Sequence, residues 1–171
     1  MQTASSLKPK RSLVRYVRLS VPLLAVILAA MQLVTYSTIN PPTTAEVPVS
    51  PEVRLLLRRA CYDCHSNETV WPWYSRVAPM SWLLHSDVTE GRHAMNFSEW
   101  TSDPAKRRKL EEKIGKEVES GDMPLWFYLP LHAAARLSAN DKQAILDWAK
   151  ASLQRVDEKD HNSEEERQEF R

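Results

Sequence analysis

Cys61-Tyr62-Asp63-Cys64-His65 decides how the rest of this chain is read. The pentapeptide holds both cysteines of a 171-residue protein, spaced C-x-x-C and followed at once by histidine. That is the arrangement of a c-type haem attachment site. Thiols one helical turn apart reach the two vinyl groups of one porphyrin, and the histidine then lies under the ring for axial ligation of iron. Three other chemistries share part of the pattern. Dithiol redox motifs sit in a βαβ context, which is not visible here. Structural zinc needs four ligands, and only His65 with the distant His85, His93 and His132 would complete the set. A Cys61–Cys64 disulfide would close too small a loop to stabilise much.

Outward from the motif, composition is that of an ordinary globular domain, 43% hydrophobic and 26% charged. A net charge of +1 gives no general attraction to nucleic acid or to anionic substrates. Three glycines against eleven prolines favour helices joined by rigid connections over a glycine-rich β fold. Both cysteines are used by the motif, so no disulfide framework is left. A covalent haem would itself supply core to a domain too small to bury much surface alone.

Upstream, residues 1–18 carry Lys8, Lys10, Arg11, Arg15 and Arg18 and no acid. Residues 19–36 follow without a charge, at the short end of the roughly 20 apolar residues that span a bilayer. No Lys or Arg then appears before Arg54. This asymmetry keeps a basic N-terminus cytoplasmic and translocates everything after about residue 37. The run reads as a transmembrane anchor; the alternative is a cleaved signal peptide, with Thr43-Thr44-Ala45 as its late cleavage candidate. Residues 37–50 read as a proline-rich tether, extended and semi-rigid. Ser50-Pro51 is an N-cap followed by proline at the first helical position. Val53, Leu56, Leu57 and Ala60 then mark one apolar face leading into Cys61.

Downstream, residues 66–82 read as a loop containing the aromatic cluster Trp71-Pro72-Trp73-Tyr74. These rings are candidates for the walls of a haem pocket, with an indole N–H or a tyrosine hydroxyl on a propionate. Arg76 is the candidate for an ion pair with a propionate. A helix is expected from Trp82 to about Met95, then a turn, Asn96-Phe97-Ser98-Glu99-Trp100, with two buried aromatics. Asp103-Pro104 restarts a helix whose apolar positions are Leu110, Ile114 and Val118, and Gly121 stops it. Met123-Pro124-Leu125-Trp126 comes next. A thioether on a loop, pinned by proline, is suited to bind haem iron opposite histidine. Its rivals as distal ligand are His132, Met95, Met80, His85 and His93. Ser138, with Asp141 three residues on, caps a last helix with Ile145, Trp148, Ala149 and Leu153 on its apolar face. Residues 155–171 read as an acidic, disordered tail.

The run Ala60-Cys61-Tyr62-Asp63-Cys64-His65-Ser66-Asn67-Glu68-Thr69, the Trp71-Pro72-Trp73-Tyr74 cluster, Asn96-Phe97-Ser98-Glu99-Trp100 and Met123-Pro124-Leu125-Trp126 together resemble the bacterial haem-binding domain family, over roughly residues 40–150. The resemblance implies a small, all-α, class I cytochrome c-like domain, here residues 51–154. It implies one covalent haem c on Cys61 and Cys64, with His65 as proximal and Met123 as distal iron ligand; Trp126 is a further candidate for the pocket. It also implies a domain on the periplasmic side of a bacterial inner membrane. The expected role is single-electron transfer to unidentified redox partner proteins. The alternatives are a haem-based redox or gas sensor with a displaceable distal ligand, and a five-coordinate haem peroxidase. No nucleophile motif, phosphate loop or pair of catalytic carboxylates suggests another enzyme.

Overall fold

The structure, a computed structural model, describes residues 10–151, 153 and 154, with side chains from residue 15 onward. Residues 1–9 and the acidic stretch 155–171 lie outside the described residues. Among the described residues every regular element is helical, and strand-like pairing is confined to one parallel bridge, Ala45 with Glu99. The helices are α1 (Lys10–Met31), α2 (Pro51–Ala60), α3 (Tyr62–His65), α4 (Met80–Ala94), α5 (Pro104–Ser120) and α6 (139–151, with 153 and 154). Short 3-10 turns lie at Trp73–Arg76 and Ala133–Ala135. The chain divides into two compact units.

The first unit comprises the described residues up to Thr38 together with Pro72–His85. Gln32 ties its two segments, its side chain donating to the Ala78 carbonyl at 3.2 Å and accepting from the Ala78 amide at 3.1 Å. The Trp82 indole donates to the Val34 carbonyl at 3.3 Å, and Tyr36 stacks on His85 at 4.3 Å. Helix α1 ends at Met31, so only residues 19–31 of the uncharged run 19–36 are helical. No helix among the described residues is long and apolar enough to cross a membrane. Helix α4 begins at Met80, two residues ahead of the expected Trp82.

The second unit comprises Ile39–Trp71 and the described residues from Ser86. Ser50 starts α2 by accepting from the Val53 amide at 3.3 Å, Pro51 occupies the first turn, and Val53, Leu56, Leu57 and Ala60 are all buried. Asp103 starts α5 by accepting from the amides of Ala105 and Lys106. Gly121 ends it at φ +82°, a left-handed conformation that a side chain would strain. Ser138 and Asp141 form a reciprocal cap on α6: each side chain accepts from the other's amide, at 3.2 and 2.8 Å. The Arg59–Asp141 ion pair then joins α2 to α6.

These starts and stops aim the apolar faces at one core. Leu57 from α2, Ile114 and Val118 from α5, and Ile145 and Trp148 from α6 meet Phe97 and Trp100 of the intervening turn. Fully buried Leu57 and Ile145 are each worth about 1.5–3 kcal/mol. The segment before α2 is not a free tether. Amides of Thr44 and Ala45 donate to the Ser98 carbonyl, Val47 donates to Phe97, and Trp100 donates back to Ala45. Val47 is completely buried, and Glu46 pairs with Arg54 of α2. Residues 44–47 therefore form a strap that belongs to the core.

Candidate cofactor site

Cys61 closes α2, its amide donating to Leu57 at 2.8 Å, and its own carbonyl then receives the amides of Cys64 and His65. The resulting single turn, α3, sets both thiols and the imidazole on one short arc. Helix α4 packs against that arc at Gly91. A Cβ there would lie 2.5 Å from the Cys64 carbonyl oxygen and 3.1 Å from the Cys64 Cβ. Only a hydrogen fits. The same glycine's carbonyl lies 2.8 Å from His65 Nδ1, and the Met95 carbonyl lies 3.3 Å away. Two carbonyl neighbours make Nδ1 the protonated nitrogen, which leaves Nε2 with its lone pair for a metal.

Two cavities flank this turn. One, of about 290 Å³, is bordered by Cys61, Cys64 and His65, by Asp87, Glu90, Gly91 and Ala94 of α4, and by the loop Met123–Leu125 with Phe127 and Tyr128. The other, of about 150 Å³, is bordered by His65, Met95, Phe97 and the α5 residues Lys113, Ile114, Glu117 and Val118. Ala60, Cys61, His65, Ala94 and Met123 border both. Thus Cys61, His65 and Met123, read from sequence as an anchor and iron ligands, border both cavities, and Cys64 borders the larger one. Small alanines provide the remaining shared wall.

Burial keeps the thiols and the imidazole uncharged. Burial pushes both thiols up to about 12; the neighbouring Cys64 adds to the effect at Cys61, and Asp87 and Asp63 add to it at Cys64. Burial lowers the His65 pKa, against the raising effect of the Met95 and Gly91 carbonyls. An uncharged imidazole is the form that binds a metal. A donor set of two thiols spaced C-x-x-C, one oriented imidazole and one methionine sulfur on the same cavity fits haem c. Among the described residues no group of three or more His, Cys, Asp or Glu side chains could hold a metal ion by itself.

The residues just past the motif are structural, a role that reading in sequence did not assign. Ser66 is fully buried and its hydroxyl donates to the Tyr62 carbonyl at 2.7 Å. Asn67 donates to the Pro42 carbonyl and to Glu99, accepts from Asn96, and uses its amide on the Ser98 hydroxyl. Arg92 of α4 holds the Ser66 carbonyl, Asn40 and Thr69. Strap, motif and the 96–100 turn are thereby fastened together behind His65. The signal available in sequence was the cluster of small polar residues itself, Ser66-Asn67 with Asn96 and Ser98.

Trp71 donates to Asn40 at 3.1 Å and borders neither cavity, nor does Trp126, which is 79% exposed. Trp73, Tyr74 and Arg76 belong to the first unit, where Trp73 is 79% exposed and packs edge-on to Tyr74. His85 and Met80 also belong to that unit. Of the rival ligands in the second unit, Met95 borders the smaller cavity, His93 is exposed, and His132 borders neither cavity and stacks on Tyr128 at 3.8 Å.

A family model described as Haem-binding domain matches residues 26–151. No curated protein and no solved structure matches the chain.

Proposed function

Because this chain belongs to the haem-binding domain family, we propose that it is a membrane-anchored, periplasmic, monohaem c-type cytochrome that carries single electrons. Bound haem supplies an iron that exchanges one electron at a time. Everything else is the work of side chains. Cys61 and Cys64 would hold the group through thioethers, and His65 would offer Nε2 to the iron, since the Gly91 carbonyl lies against its other nitrogen. Met123 presents its sulfur as distal ligand. The observation that carries this reading is that His65 and Met123 border the same two cavities, with Cys61 beside them. If His65 and Met123 both ligate the iron, the protein would leave it no position for substrate, which favours electron transfer over peroxide chemistry.

Anchoring rests on the N-terminal apolar run. Its side chains on every side of α1, among them Leu19, Leu23, Leu24, Val26 and Ile27, are exposed, as lipid-facing residues are. The excess of Lys and Arg before the run supports a haem domain outside the cytoplasm.

The test is a denaturing gel of the exported protein stained for haem, paired with a potentiometric titration. Haem that stays with the wild-type chain and is lost from Cys61→Ser/Cys64→Ser, with a reversible one-electron transition, is the expected result. Haem extractable from wild type by acidified solvent, or rapid peroxide turnover, would contradict the proposal.

A further inference from the structure

The proposed distal ligand sits on a loop with little apolar anchorage. Helix α5 has ended at Gly121, and Trp126, Phe127 and Leu131 are 79%, 39% and 66% exposed. Within the loop, the Tyr128 amide donates to Leu125 at 3.0 Å, His132 Nδ1 lies 3.0 Å from the Tyr128 carbonyl, and the two rings stack at 3.8 Å. These contacts shape the loop. A hydrogen bond carries it to the attachment turn: the Tyr128 hydroxyl donates to Asp63 Oδ2 at 2.6 Å.

Asp63 lies between the two cysteines and is itself immobilised. Its Oδ1 accepts from the Val70 amide at 2.9 Å, and its carbonyl accepts from the Thr69 hydroxyl at 2.7 Å. The carboxylate thus holds the following loop with one oxygen and Tyr128 with the other. An O–H to carboxylate bond of this length is of the charge-assisted, stronger kind. Asp63 and Tyr128 also border the larger cavity together with Met123, Pro124, Leu125 and Phe127.

We propose that the Asp63–Tyr128 hydrogen bond is a latch holding the Met123 loop over the cofactor, so that Tyr128 is a positioning residue governing how readily a small diatomic ligand replaces the methionine. The inference rests on the His65/Met123 ligation proposed above. Losing the hydroxyl leaves the ring on His132 and the loop's own turns intact, and raises the fraction of molecules with the loop open.

The experiment uses the full-length holoprotein, with carbon monoxide as the probe of the reduced form and the far-red band of the ferric form as the reporter of methionine ligation. Wild type should show the band and bind carbon monoxide slowly. Tyr128→Phe should keep its covalent haem and bind carbon monoxide roughly tenfold faster or more, about 1.4 kcal/mol of lost closure. Asp63→Asn should do the same, and the double variant should go no further than either single one. If Tyr128→Phe fails to load haem, Asp63→Asn reads the same bond from its other side. Unchanged carbon monoxide kinetics in a loaded variant, with the band intact in wild type, would overturn the latch and leave the ligation standing. A wild type without the band would overturn the ligation and the latch together.

Discussion

A methyl group on Gly91 would sit 2.5 Å from the Cys64 carbonyl oxygen, a contact that only movement of α3 or α4 relieves. The obstacle is backbone, not the end of a flexible side chain. Gly91→Ala should therefore destabilise the domain by about 1–3 kcal/mol, read as a lower urea midpoint. It should also reduce haem incorporation, because the Gly91 carbonyl that orients His65 moves with the helix. An unchanged midpoint would mean that α4 slides freely over the attachment turn. In sequence Gly91 looks like a mere cost to a helix interior. Its purpose becomes visible only when the two backbones are seen in contact. The C-x-x-C-H spacing of the cysteines and His65 stands out in sequence because it follows ligand chemistry. Residues that merely support a ligand carry no such signature.

At the scale of elements, the helices that announce their ends were readable. Ser50-Pro51, Asp103-Pro104, Ser138 with Asp141, and Gly121 mark the termini at which α2, α5 and α6 start or stop. Each is a local hydrogen bond or a local φ requirement, so neighbours in sequence suffice to see it. The strap was not legible: the prolines on either side of it, Pro41, Pro42 and Pro48, suggest a linker, and its partners, Phe97 to Trp100, lie some fifty residues on. Val47→Ala should cost about 2 kcal/mol, since Val47 is completely buried in the core. A change within a few tenths in the urea-derived stability would return residues 44–47 to the status of a tether.

The cap of α6 makes a pH prediction of its own. Hydrogen bonds from the Ser138 hydroxyl and amide, then the Arg59 pair, hold the Asp141 carboxyl below its ordinary value of 3.8. A depressed folded pKa contributes stability that is full above the unfolded pKa and is lost as pH falls through the folded one. Asp141→Asn should therefore flatten the loss of stability below about pH 4, measured as urea midpoints across that range. The same acid limb in both proteins would show that the cap does not couple to pH.

For the whole molecule the proposed anchor is the point most open to direct test. Exposed leucines and valines on all sides of α1 have no covering in the described residues of the first unit. The full chain should sediment with membranes and resist carbonate extraction. A chain starting at residue 37 should be released as a soluble haem protein. Full-length protein that washes off with carbonate would place α1 on a membrane surface or against another protein. Sequence alone read the apolar run and the charge asymmetry; where the helix ends, at Met31, it did not show.

The central claim is that His65 and Met123 ligate one covalently held iron, and the absorption spectrum of the ferric exported protein tests it most directly. Wild type should show the weak far-red band of methionine–iron ligation on a low-spin background. Met123→Ala should lose the band while keeping covalent haem, and His132→Ala should leave it unchanged. A high-spin wild-type spectrum without the band, or a band that survives in Met123→Ala, would contradict the account.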